Sequence, residues 1–158
     1  MTTSTTQLPN QISRTNSGFT LIELMVTIAV LAIIVGIAAP SFGTQLANQR
    51  IKSTTTTLAN ALKEAKAESI IRRQNLTFTY DDNGTNAGSI KIGSISSYSY
   101  SDKSIITNSP STNPITFEPS KRVDSTVYTI CDNNAAATPR QVIISKLANI
   151  SIKSGGTC

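Results

Sequence analysis

The chain has 158 residues, enough for one domain with one hydrophobic core, and it carries a formal net charge of +5. Hydrophobic residues make up 39% and charged residues 15%, and the polar remainder is mostly Ser, Thr and Asn, which favours a β-rich extracytoplasmic domain. The chain has no histidine, the commonest general base and metal ligand, so we expect neither an enzyme nor a metal or cofactor site. The excess of basic over acidic residues permits binding to an anionic partner but does not demonstrate it.

The first 18 residues, MTTSTTQLPNQISRTNSG, are polar, contain a proline and show no periodicity, so we expect them to be disordered. An apolar run follows from Leu24 to Ala39, and Thr27 is its only polar residue. Together with its uncharged flanks, this run is long enough to cross a bilayer of about 30 Å. The sequence therefore predicts a membrane-spanning segment near the start of the chain.

Glu23 lies at the head of the apolar run, and the next charged residue is Arg50. A secretory signal peptide does not account for this carboxylate, because such peptides have a basic start and an uncharged apolar core. A plain membrane anchor does not account for it either, because an unpaired glutamate costs on the order of a few kcal/mol in lipid. The charge is explained if a cut between Gly18 and Phe19 creates an amino group that pairs with Glu23 of a neighbouring copy. Such a pair would penalise any register that left Glu23 unpaired.

The stretch GFTLIELMVTIAVLAIIVGIAAPSF resembles the N-terminal signature of type IV pilins and type II secretion pseudopilins. The resemblance implies that residues 1–18 are a leader, which prepilin peptidase removes between Gly18 and Phe19, and that Phe19 is then N-methylated. It also implies that Glu23 is the assembly glutamate and that the helix bends at Pro40. The implied location is the inner membrane, as a single-pass protein with a cytoplasmic N-terminus and a periplasmic head, and later the pilus at the cell surface.

A helix is predicted to continue beyond the apolar run, so that residues 19–74 form one transmembrane and assembly helix. The run of threonines at 54–57 weakens helix propensity there, because β-branched side chains lose rotamer freedom. Small or apolar residues recur every three or four positions on one face, which should pack on a globular head. The residues of this face are Ala47, Ile51, Leu58, Leu62, Ala65 and Ser69.

Residues 75–158 change to short alternating runs separated by Gly, Asn, Asp, Ser and Pro, a pattern typical of a periplasmic β-rich head. DDNG from Asp81 and DNNAAATP from Asp132 are predicted turns. The fold class is therefore α+β, with a long N-terminal hydrophobic α-helix followed by an antiparallel β-sheet head. The predicted strands are LTFTY from Leu76, SIKIG from Ser89, ISSYSY from Ile95, PITFEP from Pro114, TVYTIC from Thr126, RQVIIS from Arg140 and NISIK from Asn149.

The two cysteines, Cys131 and Cys158, either form a disulfide or remain as two thiols. An oxidising compartment favours the disulfide. It would close a loop of about 28 residues, which contributes about 3–4 kcal/mol in the chain-entropy description. It would also hold a C-terminus that would otherwise fray.

The end of the chain resembles FimT/FimU minor pilins and the related GspH pseudopilins. In that group a strand ending near a cysteine is followed by an Arg-x-Ile-x-Ile-Ser strand and by a last strand that closes near a second cysteine. Arg140–Ser145 and the pair Cys131 and Cys158 fit this pattern. The resemblance implies a structural minor pilin for type IV pilus assembly and priming, at or near the tip. Its implied partners are other minor pilins, the major pilin and prepilin peptidase.

Two alternatives stay open, a GspH-like pseudopilin of type II secretion and a DNA-binding minor pilin for natural transformation. Some FimT-type pilins bind DNA through a Gly-Arg-x-Arg motif in the last strand. In this chain Ala148–Ser151 stands in that place and contains no arginine. Arginines would neutralise phosphates and supply salt-dependent affinity, so their absence argues against DNA binding.

Overall fold

The computed structural model describes residues 18–81 and 86–158, apart from the side chains of residues 38–40. The predicted leader, except Gly18, lies outside the described residues, and so does most of the predicted DDNG turn. The chain forms two compact units, one up to Ala38 and one from Ala39 to Cys158. One helix, α1 (Leu21–Arg72), belongs to both units, and eight strands complete the second.

Eight strands follow the helix: β1 (Leu76–Asp81), β2 (Gly88–Ile92), β3 (Ser96–Tyr100), β4 (Ser104–Ser109), β5 (Ile115–Phe117), β6 (Thr126–Asp132), β7 (Arg140–Ile144) and β8 (Ile150–Ser154). They form two antiparallel sheets of four, with the orders β3-β2-β1-β5 and β4-β6-β7-β8. Phe78 of β1 and Tyr128 of β6 meet edge to face, with ring centroids 6.1 Å apart, so inward side chains of both sheets share one core. The predicted α+β class with an antiparallel β head is confirmed.

The helix face that was predicted to pack on the head is buried against it. Its six residues are each at most 1% exposed: Ala47, Ile51, Leu58, Leu62, Ala65 and Ser69. Thr54 and Thr55 lie on the same buried face. The Thr54 hydroxyl donates to Ser104 Oγ at 3.1 Å, and the Thr55 hydroxyl donates to the Ile51 carbonyl at 2.7 Å. These buried hydrogen bonds offset the weak helix propensity of the threonine run.

The end of α1 is closed by a residue in the left-handed conformation. Arg73 has a φ of 52°, and the next N–H, that of Gln74, donates to the Ser69 carbonyl at 3.2 Å. Such a turn satisfies a carbonyl group that the last helical turn would leave unpaired. It also directs the chain into β1, so the helix and the first sheet are joined by a short connection.

The seven predicted strands are present, with ends that differ from the prediction by at most two residues. The structure adds β4 (Ser104–Ser109), which the sequence analysis did not predict. In β4 Ile106 is buried, whereas its neighbour Ile105 is 37% exposed. The remaining residues of β4 are Ser, Thr and Asn, which resemble loop composition. Pairing with β6 over six residues fixes this strand, and that contact is not visible in the local sequence.

The second predicted turn, DNNAAATP, connects β6 to β7. The backbone N–H of Asn134 donates to Asp132 Oδ1 at 3.0 Å, and the N–H of Ala137 donates to the Asn134 carbonyl at 3.0 Å. Short polar side chains that bond to nearby backbone groups favour this kind of turn. The predicted turn is therefore confirmed.

The two cysteines form a disulfide that brings the C-terminus to the end of β6. The Cα atoms of Cys131 and Cys158 are 5.9 Å apart. The tail reaches this position after β8, with the Gly155 N–H donating to the Pro139 carbonyl at 2.9 Å. Gly156 then adopts a φ of 128°, which favours glycine. Of the two alternatives for the cysteines, the structure contains the disulfide.

Candidate assembly site

The predicted processing site lies at the start of α1. Gly18 and Phe19 precede the helix, and the Phe19 side chain is 81% exposed. The Thr20 hydroxyl oxygen accepts a hydrogen bond from the backbone N–H of Glu23 at 3.3 Å, so Thr20 caps the helix. Thr-x-x-Glu is the spacing of a capping box, and an acid in the first turn complements the positive end of the helix dipole. Sequence reasoning had not singled out Thr20, although the spacing could have identified it.

The apolar part of α1 is exposed on every side. From Leu21 to Ile37 each described residue is exposed, and the large apolar side chains are 49–76% exposed. These side chains occupy nearly consecutive positions, so they surround the helix instead of forming one stripe. A helix that is apolar all round is stable only when lipid or other protein covers it.

Glu23 is the only charged residue between Phe19 and Gln49 in the sequence. Within the described residues, no single helix is both long enough and apolar enough to cross a membrane. The consecutive segments Leu21–Ile37 and Ser41–Arg72 meet these two requirements only when they are taken together. Pro40 lies within α1, and the predicted bend there stays a prediction.

A bidentate ion pair joins the second half of α1 to the end of β6. Arg50 Nε and Nη2 donate to Asp132 Oδ2 and Oδ1 at 2.8 and 2.9 Å. The Asp132 side chain is fully buried, whereas that of Arg50 is 21% exposed. Burial acts to raise the pKa of Asp132. Hydrogen bonds from Arg50 and the Asn134 N–H, together with the positive charges of Arg50 and Lys103, outweigh burial, so the pKa of Asp132 is lowered. The hydrogen bond to Asp132 raises the pKa of Arg50.

Two charged side chains of α1 make further hydrogen bonds to the head. The Glu64 carboxylate accepts hydrogen bonds from the Ser96 and Tyr98 hydroxyls of β3. Lys66 Nζ donates to the carbonyl of Ala148, at 2.7 Å, in the turn between β7 and β8. These contacts fix the helix to one strand of the first sheet and to a turn of the second. They therefore make residues 41–72 of α1 part of the head's folded unit.

The stretch Ala148–Ser151, which is predicted to stand in place of the arginine motif, forms the turn into β8 and the first residues of that strand. Ala148 is buried and has a φ of 52°, and Asn149 and Ser151 are exposed. The surface there thus presents an amide and a hydroxyl, and the nearest exposed cation on β8 is Lys153. The absence of DNA binding stays a prediction.

A family model described as type II transport protein GspH matches residues 54–148, more than half of the chain. The chain belongs to the GspH family. A second model, described as the prokaryotic N-terminal methylation motif, matches residues 13–39 and so includes Gly18, Phe19 and Glu23. The predicted membership of the pilin and pseudopilin group is therefore confirmed.

Solved structures with the same fold as this GspH-family chain include the type IV minor pilin FimU of Pseudomonas aeruginosa in two crystal forms. One form is 17% identical, covers 68% of this chain and 98% of FimU, and has a TM-score of 0.57. The other is 16% identical, covers 70% and 96%, and has a TM-score of 0.58. At this identity the likeness establishes the fold alone. No curated protein sequence matches the chain.

Proposed function

We propose that this protein is a minor pilin that takes part in the assembly and priming of type IV pili, at or near the pilus tip. The observation that carries the proposal is the first half of α1, which is apolar and exposed on all sides and has one carboxylate in its first turn. In this role the protein is a structural subunit without catalytic activity. Its partners are other minor pilins, the major pilin and prepilin peptidase.

The proposed assembly step begins with cleavage between Gly18 and Phe19. Cleavage gives Phe19 a free α-amino group, which N-methylation leaves basic. The exposed position of Gly18 and Phe19, ahead of the first helical turn, suits a peptidase substrate. Before assembly the apolar helix lies in the inner membrane, with the head in the periplasm, because lipid is then the available apolar surrounding.

In the filament, apolar helices of neighbouring subunits replace the lipid around α1. Glu23 then meets the Phe19 amino group of a neighbour. In a dry interior a carboxylate without a cation is costly, and removing one partner of such a pair typically costs about 3–5 kcal/mol. The ion pair therefore selects the register in which neighbouring helices pack, whereas the apolar contacts supply most of the association energy.

A type II secretion pseudopilin is the second candidate. The GspH family match favours it, because that family is described by type II transport. The N-terminal methylation motif does not separate the two candidates, because both classes share it. A DNA-binding minor pilin is the third candidate, and exposed Asn149 and Ser151 in place of arginines weigh against it.

Deletion of the gene separates these functions when piliation, protein secretion and DNA uptake are scored in the same strain. We expect the deletion to reduce surface pili and twitching while secretion stays intact. Exoproteins that accumulate in the periplasm while pili are normal would instead establish the pseudopilin role. For the DNA-binding candidate, a gel-shift titration at about 50 mM salt is decisive, because phosphate contacts are strong there.

The Glu23→Ala variant tests the assembly mechanism. We expect this variant to reach the membrane at wild-type levels and to be absent from sheared filaments. The conservative variant Glu23→Asp, which keeps the charge, serves as the matched control and should retain part of the incorporation. Entry of Glu23→Ala into filaments at normal levels would contradict the pairing.

A further inference from the structure

The second half of α1 has an exposed face opposite the one that packs on the strands. This outer helix stripe is marked by Phe42, Leu46, Lys52, Asn60, Lys63 and Ile71, all of which are exposed. At 3.6 residues per turn these positions fall within about a third of the helix circumference, and they extend over about 44 Å. Phe42 is 72% exposed, Leu46 48% and Ile71 73%, so both ends of the stripe are apolar.

The positive charge of the chain is concentrated on this part of the helix. Between residues 41 and 72 there are five basic and two acidic residues, so this part of the helix carries +3 of the net +5. Both acids are already engaged: Glu64 accepts hydrogen bonds from the Ser96 and Tyr98 hydroxyls, and Glu68 pairs with Arg72 at 2.6 Å. Lys52 and Lys63 are exposed, and neither has an ion-pair partner within residues 18–81 and 86–158.

A second copy of this chain does not complement the stripe. Exposed Glu118 and Asp124 line one open groove of about 440 Å³ together with the cations Arg122 and Lys146. Exposed Asp102 is followed directly by Lys103. Asp102, Glu118 and Asp124 therefore each lie near a base. The other exposed side-chain carboxylate of the described head is Asp81, which is followed in the sequence by Asp82. Two consecutive positions cannot span the distance of about 16 Å between Lys52 and Lys63, so this acidic pair of another copy cannot meet both lysines.

We propose that the outer helix stripe docks a different subunit of the pilin class that presents an acidic face. The matching face carries carboxylates spaced to meet Lys52 and Lys63, about 16 Å apart along the helix axis, and apolar contacts for Phe42 and Ile71. The inference rests on the proposed function, because it takes the protein to be one subunit of a filament with several kinds of neighbour. Complementary charge then determines which neighbour binds, since like charges across an interface are strongly disfavoured.

The test places a photo-crosslinking amino acid at Asn60, in the middle of the stripe, in the full-length protein expressed in its own cell. We expect an adduct with a different pilin-class chain, joined close to Asp or Glu residues as read by mass spectrometry. The Lys52→Glu and Lys63→Glu double variant should reduce this adduct about tenfold, because it places like charges opposite each other. The double variant Lys52→Arg and Lys63→Arg, which keeps both positive charges, should retain the adduct.

The matched control is Lys91→Glu with Lys153→Glu, which makes the same charge change at exposed lysines on β2 and β8 and should leave the adduct unchanged. The intact disulfide, read from mobility without reductant, confirms that each variant is folded. An adduct with a second copy of this chain, or an adduct that survives charge reversal, would overturn the proposal. The absence of any adduct, in a subunit that enters filaments, would also overturn it. The proposed function is tested independently of this experiment, and it fails if deletion of the gene leaves piliation normal.

Discussion

Removing either partner of the Arg50–Asp132 pair should destabilise the head, and the two losses should be unequal. The two side chains lie 82 positions apart in the sequence and share two hydrogen bonds of 2.8 and 2.9 Å. Arg50→Met removes the guanidinium and leaves a fully buried carboxylate. Asp132→Asn keeps the shape of the side chain and leaves a guanidinium that already reaches solvent.

The magnitudes follow from the burial of each partner. Breaking a buried ion pair by removing one partner typically costs about 3–5 kcal/mol. The Asp132 side chain is 0% exposed, and after Arg50→Met its one hydrogen-bond donor among the described residues is the N–H of Asn134, so we expect a loss of about 3 kcal/mol. The Arg50 side chain is 21% exposed, so water can replace part of its bonding in Asp132→Asn. For that variant we expect about 1–2 kcal/mol.

The pH dependence of the unfolding free energy should distinguish Asp132 that is paired with Arg50 from Asp132 that has lost this partner. In the wild type its pKa is lowered, so the stabilisation is complete above the unfolded pKa of about 3.9 and is lost as the pH falls through the folded pKa. In Arg50→Met, burial is opposed mainly by the Asn134 N–H, so the pKa should rise. Protonation then relieves the buried charge. The difference in unfolding free energy between wild type and Arg50→Met should therefore narrow as the pH falls from 7 to about 4.

Urea unfolding of a fragment that comprises residues 41–158 measures these differences, since it contains nearly all of the second compact unit. Lys52→Met, an exposed change on the same helix, is the matched control and should alter the unfolding free energy by less than about 0.5 kcal/mol. Two results would refute the reasoning. One is a larger loss in Asp132→Asn than in Arg50→Met, and the other is a difference that widens on acidification.

Three further variants test other parts of the structure. Cys158→Ser opens a loop with a sequence separation of 27 and should cost about 3 kcal/mol in urea unfolding; unchanged stability would contradict the disulfide's role. Ala148→Gly relieves a φ of 52° but removes a fully buried methyl group worth about 0.8 kcal/mol, so the unfolding free energy should change by less than about 1 kcal/mol, and a larger loss would show that this φ carries little strain. Gly18→Ala should leave an uncleaved precursor of slower gel mobility, and normal processing would disprove the proposed cut.

Much of the fold could be predicted from local sequence patterns. The buried face of α1 follows from residues such as Ile51, Leu58 and Leu62 at helical spacing, and each is at most 1% exposed. The strands with regular alternation, such as SIKI in β2, were also predicted. In both cases one side of the element faces the core, so apolar residues recur in the sequence at the period of that helix or strand.

The features that sequence reasoning missed depend on contacts between distant residues. β4 has two adjacent isoleucines and otherwise polar residues, and only its pairing with β6 makes it a strand. The Arg50–Asp132 pair joins two residues that look like ordinary surface charges in the sequence. The outer helix stripe could be recognised only after the structure showed which helix face the strands cover and which acids are already bonded.

The N-terminus of the protein recovered from sheared surface filaments tests the central claim most directly. Mass spectrometry of the mature chain should find an N-methylated Phe19 as its first residue, in the same filaments from which Glu23→Ala is absent. A mature chain that begins at another residue, or a protein that never occurs in surface filaments, would contradict the account.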